Sequence, residues 1–219
     1  MAAESKQEEK NTTTTVTIAG TAGRVDDANR MTKALFESMI EAAHRIITKD
    51  LELDPGGTIL VSGGAAYADF VAVKLFMRGG YAGLRFFIPG KWESKQFTGT
   101  KDADTANRYH RAFSKVCGFS SFDEMDTIVT APNVTVVSRK DFTTRNLDLA
   151  KSHFLIAMTW ADGLEPPLSR SGTRHTWDSW QRYHTSPFIK KTATKPKPRR
   201  IHVPLSSLVS KTVTEIKKE

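Results

Sequence analysis

Cysteine is almost absent from this chain of 219 residues: Cys117 stands alone, which excludes an internal disulfide and any cysteine-rich zinc site. His110, His153 and His184 show no metal-ligand spacing, so neither a metal nor another cofactor is expected. No apolar run exceeds the length of a strand, and a transmembrane segment is therefore not expected. Met1 to Lys10 are polar and charged and lack the apolar centre of a signal peptide; with the single cysteine this leads us to expect a cytoplasmic protein. A P-loop lysine, a dinucleotide fingerprint and an internal repeat are all missing. A Ser-His-Asp triad also lacks its context, since Ser171 has no evident histidine and acid partner.

What is present is a regular exchange of short apolar runs and amphipathic stretches. Val16 to Ala19, Ile59 to Val61, Leu84 to Ile88, Val134 to Val137 and Phe154 to Met158 read as five strands, with Ile201 to Val203 as a sixth at an edge. Between them lie helical patterns, the first through Met31, Leu35, Met39, Ile40, Ala43 and Ile47, with Asp26 and Asp27 as its expected caps. This rhythm predicts an α/β fold: a Rossmann-like parallel sheet with helices on both faces, in one domain. We place a disordered leader at residues 1–13, the domain at 14–186, and a basic linker with an edge strand and charged tail at 187–219. Residues 91–126 interrupt the rhythm as an inserted helical segment, with Tyr109, Phe113 and Val116 expected on one side of its helix. Trp177 and Trp180 are expected in the core.

In an open parallel sheet, ligands bind at the carboxyl ends of the strands. Three such ends carry glycine or small polar residues here: Gly20-Thr21-Ala22-Gly23-Arg24, Ser62-Gly63-Gly64-Ala65, and Ser171-Gly172-Thr173. Glycines let the backbone approach an anion, and the free N–H groups of a helix start face it. Arg24, and Arg145 beside Asn146, can add guanidinium charge to the same crevice. Asp69, six residues beyond Gly63, either caps its own helix or takes a ribose hydroxyl. Together these turns point to a phosphorylated ligand, a nucleotide or a nucleotide-derived molecule.

The same set, read in order with Gly172-Thr173-x-x-Thr176, resembles the SLOG superfamily of Smf/DprA and LOG-like Rossmannoid proteins, and within it the YspA-like branch. The likeness spans about residues 16–184. It implies a nucleotide laid along Gly63, Gly64, Gly172 and Thr173, with Arg145 and Asn146 shaping the pocket. It also implies a contrast with LOG-like hydrolases of nucleotides, whose motif carries a catalytic glutamate where this chain has Thr176 and Gly-Gly where it has Arg170-Ser171. A threonine cannot serve as a carboxylate acid or base, and the insertion at 91–126, which also departs from a minimal family member, is expected to cover the pocket or to carry a partner site.

Three functions are therefore carried forward. The first is nucleotide binding or sensing through Gly20, Arg24, Ser62, Gly63, Gly64, Asp69, Arg145, Asn146, Ser171, Gly172, Thr173 and Thr176, with a homo-oligomer as a candidate assembly. The second is an N-glycosidase or transferase using Asp69 as its catalytic carboxylate. The third is a DprA-like binder of single-stranded nucleic acid. The net charge of +8 permits the third, through Arg24, Lys190, Lys191, Arg199 and Arg200. Six positive charges fall in Lys190 to Arg200 without interleaved aromatics, which also reads as a solvated basic linker.

Overall fold

A computed structural model describes residues 13–167, 171–188 and 197–209. The expected leader up to residue 12, Arg170, Lys190, Lys191 and the charged tail from residue 210 lie outside the described residues.

The sheet is parallel and six-stranded: β1 (Thr14–Gly20), β2 (Thr58–Ser62), β3 (Gly83–Pro89), β6 (Val134–Arg139), β7 (Phe154–Thr159) and β8 (Arg199–Pro204) lie in the order β6-β3-β2-β1-β7-β8. A short hairpin, β4 (Lys91–Glu93) and β5 (Gln96–Thr98), stands apart from it. β1 lies at the centre, with Val16 paired to Leu60 on one side and to Phe154 on the other.

Strand alternation assigns the two faces. Val16, Ile18, Leu60, Phe86, Ile156 and Met158 point into the larger core with α2 (Lys33–Arg45), α3 (Phe70–Met77), α4 (Lys101–Cys117) and α5 (Ser121–Val129). Ala19, Leu155 and Ala157 point to the other face, where Trp177 and Trp180 of α7 (Gly172–Thr185) pack over them beside α6 (Phe142–Leu149). The two tryptophans are core residues, as their spacing suggests.

Two local expectations need correction. The first helical stretch is split: a single turn, α1 (Val25–Ala28), contains Asp26 and Asp27, and α2 begins afresh at Thr32, whose hydroxyl accepts from the Leu35 N–H. Asp27 instead accepts from Thr21 and Arg30. In α4, Phe113 is buried and Tyr109 half-buried, but Val116 is 41% exposed. The buried stripe runs through Ala103, Ala106, Asn107, His110, Phe113 and Cys117, the 3.6-residue period set one position away from Val116.

Candidate functional site

The strand order reverses at β1: β2, β3 and β6 run off one side of it, while β7 and β8 lie on the other. Such a switch point opens a crevice at the carboxyl ends of the two strands where their connections part. Here a cavity of about 370 Å³ sits at that place, with Gly20 and Thr21 from the end of β1 and Thr159 and Trp160 from the end of β7 in its wall. Gly20 must be glycine because a Cβ would stand 2.0 Å from the Met158 carbonyl oxygen.

The glycine turn after β2 forms the rear of this wall, not its surface. Ser62 is fully buried, and its hydroxyl donates to the Asp69 carbonyl at 2.8 Å while accepting from the Gly64 N–H at 3.0 Å. The Gly64 carbonyl accepts from His110 Nε2 at 2.9 Å, and His110 Nδ1 lies 3.0 Å from Ser121 Oγ. Because a carbonyl only accepts, the proton is on Nε2, and Ser121 donates to Nδ1. Burial pushes the His110 pKa down to about 4, against the pull of the Gly64 carbonyl, so this ring is neutral. Gly63 is held by Arg145, whose Nη1 donates to its carbonyl at 2.9 Å. A Cβ on Gly63 would fall 2.5 Å from Asp69 Oδ2 and 2.6 Å from Arg145 Cζ. Of Ser62, Gly63 and Gly64, none lines the cavity; Ala65, Ala66 and Asp69 do.

Arg145 and Asn146 tie this turn to the one that opens α7. Arg145 donates through Nε and Nη2 to Asn146 Oδ1 at 3.2 and 3.0 Å, and Asn146 Nδ2 donates to the Gly172 carbonyl at 3.2 Å. Both side chains are buried and both line the cavity. At the start of α7, Ser171 caps the helix by accepting from the Arg174 N–H at 3.1 Å, and Thr176 donates back to the Gly172 carbonyl. The Gly172 and Thr173 amides have no acceptor inside the helix. Ser171, Gly172, Thr173 and Thr176 all belong to the cavity wall. Arg24 lies exposed on the same wall, with no ion pair recorded for it among the described residues.

Asp69 is the unusual group. It is 2% exposed and lines the cavity, and its Oδ2 has no hydrogen-bond partner. Arg145 Nη2 is 3.7 Å from that oxygen, near enough for charge attraction but beyond a hydrogen bond. Asp69 occupies the N-cap position of α3 but makes no capping bond. Burial raises its pKa, opposed by the Arg145 charge and by the backbone N–H groups of Ala65, Gly20 and Gly63, which lie near the carboxyl without forming a hydrogen bond to Oδ2. Burial likewise lowers the pKa of Arg145. A buried carboxylate oxygen without a partner is an uncompensated acceptor, and a hydroxyl donor brought to it would compensate it.

Among the wall residues that the sequence does not single out for the site are Tyr109 and Ala106 from the insertion, and Trp160 and Arg30. Trp160 directly follows β7, so the strand-end rule could have found it. The insertion reaches the cavity wall, one of its two expected placements, but no local signal picks out Ala106 or Tyr109. Of the cations proposed for nucleic acid, Arg199 and Arg200 sit at the amino end of β8, far along the strand from the carboxyl-end crevice. Arg199 donates to the Asp50 carbonyl, and Arg200 lies over Trp177 at 4.3 Å. They do not converge with Arg24. No group of three or more His, Cys, Asp or Glu side chains suited to a metal ion occurs among the described residues, and no helix there is long and apolar enough to cross a membrane.

Comparison with curated proteins finds an uncharacterized protein of Acanthamoeba polyphaga mimivirus that is 32% identical over 163 residues, covering 74% of this chain and 87% of the viral protein. No family profile and no solved structure matches the chain.

Proposed function

We propose that this chain, which belongs to the same family as the mimivirus protein, binds a nucleotide or nucleotide-derived ligand in the switch-point cavity, as a sensor of the SLOG type in a cytoplasmic setting. The observation that carries this reading is that Asp69, whose Oδ2 is buried without a partner, shares its cavity wall with the first turn of α7. The Gly172 and Thr173 amides, the α7 dipole and Arg24 take the phosphate; Asp69 takes a ribose hydroxyl. A phosphate and a vicinal diol in one small molecule satisfy both ends of the site.

Thermal-shift and native mass-spectrometric titration with nucleoside monophosphates, dinucleotides and cyclic nucleotides tests it. A ligand at one hundred times its Kd adds about 2.7 kcal/mol of stability. Asp69→Asn, which keeps the shape but weakens a charge-assisted bond, lowers affinity roughly tenfold. A protein that no nucleotide stabilises sinks the reading.

One observation favours a second reading, cleavage of the N-glycosidic bond. A carboxyl group whose pKa is raised by burial can hold a proton for a leaving base. Release of free base in the same titrations, abolished by Asp69→Asn, distinguishes turnover from binding.

A further inference from the structure

The aromatic side chains fall into two groups. Phe36 and Phe70 pack edge and face against Phe113 and Phe119 of the insertion, and Phe97, also of the insertion, packs against His110. Tyr109 and Trp160 stand outside that cluster. Both line the cavity, and no ring-to-ring contact is recorded for either among the described residues. Each carries an arginine instead: Arg108 Cζ lies 5.4 Å from the Tyr109 ring centre and Arg30 Cζ lies 4.2 Å from that of Trp160. The Trp160 Nε1–H is buried and has no acceptor.

A sugar phosphate uses none of this. Its phosphate is met by α7 and Arg24, and its hydroxyls by Asp69. What the two rings add to the cavity wall is a π surface, which suits a planar heterocycle, and Arg30 of the same wall adds charge beside Trp160. We infer that Tyr109, delivered by the insertion helix α4, is the stacking platform for the base of the bound nucleotide, with Trp160 as the second aromatic wall. This assignment rests on the nucleotide reading above and makes the insertion a specificity element rather than a lid. The cavity, about 370 Å³, lies at the small end of the range of ~300–1,000 Å³ for ligand pockets, which favours one nucleotide over a dinucleotide.

Calorimetric titration of the full chain with ribose 5-phosphate, AMP and UMP separates the two levels of the claim. The wild-type protein binds the nucleotides more tightly than ribose 5-phosphate. Tyr109→Leu weakens nucleotide binding at least fivefold and leaves ribose 5-phosphate unchanged, while Tyr109→Phe retains the nucleotide preference. Because Tyr109 also packs partly against the core, transferred NOEs from base protons to its ring in the wild-type protein give a second measurement that needs no variant. Equal affinity for all three ligands, untouched by Tyr109→Leu and without NOEs, overturns the base subsite while leaving the sugar-phosphate site standing. Binding of none of the three overturns both.

Discussion

Two glycine turns that look alike in the sequence, Ser62-Gly63-Gly64 and Ser171-Gly172-Thr173, do opposite work in the structure. Each follows a strand and each precedes a helix, and each has an arginine in the same cavity wall or directly behind it. The first is filled by the protein itself: Arg145 bonds the Gly63 carbonyl, His110 the Gly64 carbonyl, and Ser62 spans the loop. The second lies in the cavity wall at the start of α7, where the first amides have no acceptor inside the helix, and Arg24 of the same wall is exposed. A glycine-rich turn at a strand end therefore says that something approaches the backbone closely; whether a ligand or a neighbouring side chain does so depends on residues distant in the chain. Arg145 is 82 positions from Gly63.

The difference predicts that the closed turn governs folding and the open one governs binding. Its sharpest break is Arg145→Met. That change removes the Gly63 strut and leaves the Asp69 carboxylate buried beside a thioether. Stripping one partner from a buried ion pair costs about 3–5 kcal/mol. For a chain of this size that is a fall in Tm of roughly 10 °C, read by calorimetry. Adding Asp69→Asn to the same protein removes the stranded charge and recovers part of the loss; no recovery would mean that the strut, not the charge pair, dominates.

How much of this was readable beforehand follows the same line. The sheet strands β1, β2, β3, β6 and β7, the edge strand β8, the two-faced cover and the start of α7 follow from hydrophobic period and turn chemistry, which are local; the β4-β5 hairpin does not. The split between α1 and α2 was missed because Asp26-Asp27 and Thr32 both offer cap chemistry, and only the observed bond to Leu35 decides between them. Within the site, Gly20, Arg24, Asp69, Arg145, Asn146 and the α7 turn converge on one cavity as the strand-end rule suggests. Tyr109 was read simply as one side of a helix. Its exposure to the cavity depends on how the insertion packs over the sheet, a long-range contact that carries no local signal.

A milder test of the closed turn is pH. His110 has a folded-state pKa of about 4, below its ordinary 6.5, so its contribution to stability is complete above pH 6.5 and is lost as pH falls toward 4. The full loss is roughly 3 kcal/mol. Asp69 runs the other way. Its pKa is raised, so its contribution is present below the ordinary carboxylate range and disappears as pH rises through the raised value. Wild-type unfolding free energy should therefore fall between pH 6.5 and about 4.5 by the His110 term less the Asp69 term. His110→Gln, which keeps a donor near Gly64 but cannot titrate, should flatten or invert that slope. An unchanged slope would show that His110 is not the group responsible.

The smallest effect on folding belongs to Arg24, which comes from the turn after β1 and shares the cavity wall with the open turn. Arg24 is exposed, and no ion pair is recorded for it among the described residues; its backbone, at the N-cap position of α1, is extended and makes no side-chain cap bond. Replacing it with alanine leaves no buried charge and no cavity, so the expected change in unfolding free energy is within about 0.5 kcal/mol. Its guanidinium nonetheless stands on the cavity wall and acts on the buried Arg145 by like-charge repulsion, a sign that its field reaches the site. A ligand phosphate there gains a charge-assisted contact, and losing it costs roughly tenfold in affinity, less at high salt. Equal Tm with weaker, less salt-dependent nucleotide binding in Arg24→Ala would complete the contrast with Arg145→Met. A large drop in Tm would instead place Arg24 among the groups that hold the turn together, and the two turns would then differ in degree rather than in kind.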